Sequence, residues 1–400
     1  MASSPKSNMP KRILVVDDDY TVGQGLETPF KPYEIQISNA QDLDNALRLF
    51  NEADSPIVLV ELEFEPMHGL ALIQRWRASE QIEKRATVFI LMTGKTRPVT
   101  DDALVRELAD IEMIVKPLKP INVLPYISRA MGKYQMLLSF EHFRKTILEQ
   151  AANTNQIGPI ADSVKKRLPE FQTRGIELLC ELYEASENYE LALQFVNGML
   201  AKDNNNPFFL NAKGRLLLKM GKEQDARDPL EKAYKASPTH LGRLNTMEDM
   251  YLKLKDPEKA LEKMEERLKF SRGDDTVKFN MFTKLHDHGF QDYARKLAKN
   301  HANPMEIVRY YNNKGVGLSQ SGDIQSAIKE YERALSYFPT SKENYRIYYN
   351  IALAKIKTKN EISYKEAVGN LRKCLELAPE FDKARNTLDI LTKAMKKEAS

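Results

Sequence analysis

Five alanines, Ala192, Ala226, Ala260, Ala294 and Ala327, recur at intervals of 34, 34, 34 and 33 residues, and no other feature of the chain constrains its fold as strongly. Two copies carry a fuller frame. Ala226 is followed by Leu230, Ala233 and Pro238, and Ala327 by Tyr331, Ala334 and Pro339; Gly214 and Gly315 precede their alanines by twelve residues each. A sixth copy, Ala367 with Leu371, Cys374 and Pro379, follows 40 residues after the fifth, and its extra length is expected in KTKNEISY, read as a turn between helices. A unit this short cannot bury its own apolar face, so the units must stack into an all-α solenoid. Small residues let paired helices approach, a larger Leu or Tyr fills the adjoining groove, and proline stops the second helix.

Before residue 135 the pattern differs. ILVV at 13–16, IVLV at 57–60, VFIL at 88–91 and MIV at 113–115 are short and rich in β-branched residues. They read as strands buried on both faces. Helical spacing over Leu43–Ala53 and Leu70–Ser79 lies between them. This alternation predicts an α/β, doubly wound parallel sheet with its chemistry in the crevice at the carboxyl ends of the strands. The helical pattern of SFEHFRKTILEQAA continues beyond this region, and PIADSVKKRLPEF reads as another helix after a Gly-Pro breaker.

Composition narrows the function. Residues 1–135 carry 16 basic and 19 acidic side chains, whereas the remainder has a net charge of +7. In that remainder lysine and arginine alternate with glutamate, the pattern of a solvated helix surface rather than of a phosphate-tracking stripe, so no nucleic-acid partner is expected. Two cysteines, Cys180 and Cys374, build neither a disulfide framework nor a zinc site and fit a reducing cytoplasm. His286 and His288 fall on different faces of a helix. The opening MASSPKSNMP has no apolar run, so neither a leader nor a membrane anchor is expected.

The chemistry-bearing residues gather at strand ends. Asp17 and Asp18 follow the first strand, Glu61 ends the third, Thr93 ends the fourth, and Lys116-Pro117 follows the fifth. Paired acids there suit a hard cation such as Mg²⁺, and a lysine with a hydroxyl suits a phosphoryl group. No glycine-rich phosphate loop, nucleophile elbow or HExxH is present.

With ILVVDDD at 13–19, VLVELEFEPMHG at 58–69, ILMTG at 90–94 and VKPLKP at 115–120, residues 11–133 resemble a response-regulator receiver domain. The resemblance implies a flavodoxin-like five-stranded fold, Mg²⁺ held by Asp17, Asp18, the Glu61 position and the backbone carbonyl of Glu63, and an acyl phosphate contacted by Thr93 and Lys116. It also implies a cis peptide bond at Lys116-Pro117, and a histidine kinase or a second receiver as a partner. Three positions depart from the family: Glu61 stands at the phosphoacceptor aspartate, Pro66 is displaced from its usual place beside Glu63, and Met113 replaces an aromatic residue. The extra methylene of Glu61 moves its carboxylate outward by about 1.5 Å, toward the place of a phosphoryl oxygen. A bond to Lys116 with help from Thr93 would be worth about 1.5–3 kcal/mol. Three readings follow: a phosphorylation-independent scaffold in which Glu61 mimics phosphate, a phosphorylatable Mg²⁺-dependent regulator, and a structural assembly protein with a vestigial receiver.

The 34-residue units resemble tetratricopeptide repeats, expected over residues 173–396 with LTKAMKKE in a polar capping helix and 134–172 as a helical linker or partial repeat. This resemblance implies protein partners bound in a groove and no enzymatic output. Asn211, Arg215, Lys219, Asn312 and Asn313 are candidate groove residues. Glu248 stands where the frame calls for a small residue. Tyr310, Tyr345, Tyr348 and Tyr349 are candidate anchors, while Tyr311 occupies a packing position. The basic tilt of this half favours an acidic partner.

Overall fold

A computed structural model describes residues 9–52, 54–94, 99–108, 110–154, 157–270, 275–301 and 304–398. Its first compact unit ends at residue 273 and its second begins at 274. The first unit opens with β1 (Arg12–Val16), α1 (Tyr20–Phe30), β2 (Gln36–Ala40), α2 (Leu43–Glu52), β3 (Ile57–Glu61), α3 (Gly69–Arg77), α4 (Ile82–Arg85), β4 (Val88–Thr93), α5 (Val99–Leu108), β5 (Glu112–Val115) and α6 (Pro120–Ala152). The strands form one parallel sheet in the order β2-β1-β3-β4-β5. This is the doubly wound parallel sheet expected from the alternation of strands and helices, with the five strands that the receiver resemblance implies.

Side chains along a strand point alternately to opposite faces, so each apolar run supplies two cores. Leu14, Val58, Val60, Phe89 and Leu91 join one cluster beneath α2 and α3. Ile13, Val15, Ile57, Leu59, Val88 and Ile90 join the other, with residues of α1 and α6. β5 departs from the expectation of double burial: it is an edge strand, and Val115 is 67% exposed. The strand β2 has no counterpart among the apolar runs because QISNA holds a single large apolar residue; backbone pairing with β1 makes it a strand. Ala53, the proposed end of α2, lies outside the described residues, as does the start of MASSPKSNMP.

Among the described residues of this unit, seven helices follow: α7 (Ile157–Lys166), α8 (Leu168–Ala185), α9 (Tyr189–Leu200), α10 (Pro207–Lys219), α11 (Glu223–Ala236), α12 (Leu241–Lys253) and α13 (Pro257–Phe270). The Gly-Pro pair does not precede α7. Gly158 and Pro159 sit in its first turn, where proline's missing N–H has no intrahelical partner to lose. Within α8, Gln172 departs from helical geometry at φ 46° and ψ −123°. α10 packs on α11 as the repeat frame requires: a Cβ at Gly214 would lie 2.3 Å from Leu230.

The second unit holds α14 (Asp275–Asp287), α15 (Gln291–His301), α16 (Pro304–Gln320), α17 (Ile324–Tyr337), α18 (Asn344–Lys357), α19 (Glu361–Leu377) and α20 (Asp382–Glu398). Here Gly315 makes the same notch, its notional Cβ 2.3 Å from the Tyr331 ring. KTKNEISY is not mainly a turn. Helix α19 begins at Glu361, capped by Asn360, so Glu361–Tyr364 form its first turn and the insertion lengthens the helix to 17 residues against 14 in α17. No described helix is long and apolar enough to cross a membrane.

Candidate functional site: the acidic crevice and its lysine

Parallel register brings the ends of four strands together. Val16 pairs with Val60, Glu61 with Met92, and Thr93 with Val115. Backbone bonds carry this order past the strands: Asp17 N–H donates to Ala40 O at 3.0 Å, Leu62 N–H to Met92 O at 2.9 Å and Lys116 N–H to Thr93 O at 2.9 Å. Gly69 closes the loop after β3. Its N–H donates to Leu62 O at 2.9 Å, and a Cβ there would sit 2.2 Å from the Glu61 carbonyl oxygen. Only glycine permits that approach.

Within the crevice, Lys116 Nζ lies 2.6 Å from Asp17 Oδ2 and is also ion-paired with Glu61 Oε2. The backbone N–H of Asp19 donates to Asp17 Oδ1 at 3.0 Å, and that of Glu63 approaches Glu61 Oε1 at 3.4 Å. Asp17, Glu61 and Thr93 are buried, at 3%, 8% and 5% exposure. Burial pushes the Asp17 carboxyl above its ordinary value despite Lys116 and the Asp19 N–H. For Lys116 burial acts downward, yet its bonds to Asp17 and Glu61 outweigh it and hold the ammonium above its ordinary value.

The structure therefore brings Asp17, Glu61 and Lys116 into one contact and buries Thr93 beside them. Asp18 and Glu63 stay exposed at the rim. At Glu63 the backbone N–H faces the Glu61 carboxylate. The residues as arranged do not fit the divalent cation implied by the resemblance. The two inner carboxylates are bound by the chain's own ammonium, and no group of three or more His, Cys, Asp or Glu gathers for a metal among the described residues. Lys116-Pro117 is cis, as is Glu65-Pro66. Met113 is partly buried against the core beneath α2 and α3.

The repeat residues separate in their roles. Asn211 is buried, at 8% exposure, and Arg215 forks onto Glu184 at 3.1 and 2.5 Å while 38% of its side chain stays exposed. Lys219 is exposed. In the second unit, Asn312 and Asn313 line a cleft of about 380 Å³ with Arg309, Glu343 and Arg346, and Asn312 accepts a bond from Asn350 at 2.5 Å. Tyr311 is fully buried. Tyr310 packs on Phe279 beside that cleft, and Tyr345 and Tyr349 pack on Phe381. Tyr348 is half-buried beneath Lys373.

Several joining residues gave no sequence signal. Gln74, Glu107, Asp110, Arg174 and Arg243 connect the sheet domain to the helices that follow, but each looks like an ordinary polar helix or loop residue in sequence. Glu248 did give a signal, as a charge in a small-residue position. Its partner is Arg267, bound at 2.6 and 2.8 Å.

Comparison with known proteins identifies both regions of the chain. Residues 13–128 match the response regulator receiver domain, residues 179–304 match the Psidin N-terminal TPR repeats region, and residues 308–341 match the tetratricopeptide repeat. A probable transcriptional regulator ycf27 of Porphyridium aerugineum is 27% identical over 110 residues, covering 28% of this chain and 43% of that protein. The chain spans less than half the length of the curated relatives it matches. Among solved structures, a CheY-like receiver domain protein from Methanospirillum hungatei JF-1 is 19% identical with a TM-score of 0.28, covering 31% of this chain and 95% of that one. A response regulator receiver protein from Pseudomonas putida is 25% identical with a TM-score of 0.27, covering 30% and 95%. The chain thus carries a response regulator receiver domain at residues 13–128, followed by tetratricopeptide repeats.

Proposed function

We propose that this protein is a phosphorylation-independent response regulator acting as a signalling scaffold, with a receiver over residues 11–133, a helical linker over 134–172 and a partner-binding repeat region over 173–396. The observation that carries this reading is the simultaneous ion pairing of Lys116 with Asp17 and Glu61. By resemblance, Glu61 is the phosphoacceptor equivalent, and Thr93 and Lys116 are the phosphate-contact equivalents. In this crevice the lysine holds a carboxylate of the chain instead of a phosphoryl oxygen. One charge stands in for the two or so of a phosphoryl group, so the mimicry is partial and permanent. A bias of about 1.5–3 kcal/mol is comparable with the few kcal/mol that separate two conformational states.

Output on this reading is recruitment, with no catalysis. Asn312, Asn313, Arg309 and Arg346 offer amide and guanidinium donors in one cleft, suited to the carbonyls and carboxylates of an acidic protein segment. The free, buried thiols of Cys180 and Cys374 fit a reducing compartment, and we place the protein in the cytoplasm on that ground.

The test is intact mass after incubation with acetyl phosphate and Mg²⁺. Wild type is expected to keep its mass, while Glu61→Asp, which shortens the side chain and restores the receiver's usual acceptor, is expected to gain a phosphoryl group. Stoichiometric addition to wild type at Glu61 would refute the reading. In a parallel pull-down, Glu61→Gln is expected to recover less partner than wild type.

A further inference from the structure

The loop that follows Glu61 is unusual for a surface connection. Leu62, Phe64 and Met67 are 2%, 1% and 1% exposed, although Glu63, Glu65 and Pro66 between them face solvent. Repeat residues pack on the same core. Leu241, the first residue of α12, and Phe270, the last of α13, pack against the same core cluster as those three side chains. His68, at the end of the loop, meets the Phe270 ring edge-on with centroids 5.8 Å apart. One turn into α3, Gln74 Oε1 accepts the Leu241 N–H at 2.8 Å, so a receiver side chain satisfies a donor that a helix start leaves open.

Polar bridges hold the surrounding surfaces together. Arg243, wholly buried in α12, is ion-paired with Glu107 of α5 and also donates to the carbonyls of Ser237 and Pro207. Arg174 of α8 reaches Asp110 at 3.2 Å. A short path therefore runs from the crevice to the repeats. Glu61 is bound by Lys116, the Glu63 N–H lies against the Glu61 carboxylate, the buried side chains of the loop belong to the core cluster on which Leu241 and Phe270 pack, and His68 at its end meets Phe270.

We propose that the repeats read the crevice through this loop: the Lys116–Glu61 ion pair and the seating of Leu62–His68 in the core cluster that Leu241 and Phe270 cover stabilise each other, so loosening either loosens the other. The physical basis is that the loop's backbone and side chains have one packed arrangement that satisfies both ends at once, and linkage between two ends of one element is reciprocal. This deepens the scaffold reading and rests on it only in taking the Lys116–Glu61 pair as the site's resting state. Partner recruitment and phosphoryl gain play no part in its test, so either idea can fail alone.

The experiment is amide hydrogen exchange on the full chain, followed in peptides covering residues 61–69, 240–244 and, as a control, 157–166. Lys116→Met is expected to speed exchange at 61–69 and also at 240–244 by about fivefold or more, leaving 157–166 unchanged. Reciprocally, Gln74→Ala with Phe270→Ala is expected to speed exchange at 61–69 by a similar factor. If Lys116→Met fails to fold, the Gln74 and Phe270 variant decides the matter. The proposal is overturned if each variant's effect stays at its own end, or if 157–166 accelerates equally, which would mark general destabilisation.

Discussion

Lys116 and Glu61 form an ion pair inside a crevice where Lys116 also holds Asp17, with 22% of the lysine side chain and 10% of the glutamate side chain exposed. The charge left after pairing is one negative unit shared by two carboxylates. A phosphoryl group would have to displace the carboxylate that Lys116 already binds.

Removing the Glu61 charge should therefore register as lost stability. Glu61→Gln keeps the size and leaves Lys116 with Asp17 alone, so a loss of about 1–3 kcal/mol is expected, below the full penalty of stranding a buried charge. Urea unfolding followed by near-ultraviolet circular dichroism measures it. An unchanged midpoint with an unchanged slope would show that the pair contributes nothing.

The pH dependence of Asp17 has a definite sign. Its folded carboxyl titrates above the ordinary value because burial dominates, so between the unfolded and folded values the native state holds more protons than the unfolded chain. This group's contribution then falls as pH rises through the folded value. Lys116 is raised instead, so its contribution is complete below the ordinary lysine value, disappears only as pH climbs through the higher folded value, and adds no slope near neutrality. Asp17→Asn should consequently gain stability relative to wild type as pH rises from the ordinary aspartate value through the higher folded one. Thermal melts of both proteins across that range test this, and a gap that is flat or closes with rising pH would contradict it.

Glu248 and Arg267 occupy the contact of α12 with α13, with side chains 0% and 10% exposed and two bonds between them. Arg267→Ala should cost about 3–5 kcal/mol because it removes the counter-charge that makes two bonds to the buried Glu248 carboxylate. Glu248→Gly combined with Arg267→Ala removes both charges together, and should recover a large share of that loss. A double-mutant cycle from chemical denaturation gives the coupling; purely additive losses would show that the pair acts only through packing.

Glu107 is the acidic partner of the wholly buried Arg243. Glu107→Gln leaves the guanidinium with the Ser237 and Pro207 carbonyls but no counter-charge, so the docked arrangement should weaken by about 2–5 kcal/mol. Limited proteolysis should then cut faster near residues 99–108 and 207–243. Digestion at the wild-type rate would mean that apolar packing alone holds these surfaces.

Much of the crevice was legible because its residues sit beside recognisable strands. ILVV, IVLV and VFIL announce buried strands, and the residues ending them converge whenever the sheet is parallel. The repeat notch was equally open to reading, since a glycine twelve residues before an alanine has a geometric reason that Leu230 and Tyr331 satisfy. β2 was less visible because pairing with β1, not hydrophobicity, makes QISNA a strand. The burial of Asn211 and the pairing of Arg215 with Glu184 were not legible, because helical periodicity gives a face but does not say what covers it.

By itself, the sequence determined the two architectures and the identities of the groups at the strand ends, because both follow from periodicity and local chemistry. Tertiary structure decided that Lys116 would span Asp17 and Glu61, that Asp18 would remain outside, and that Gln74 and Arg243 would join receiver to repeats. These contacts link residues up to 167 positions apart, and direct ion pairing depends on side-chain separations of a few ångströms that no local pattern encodes.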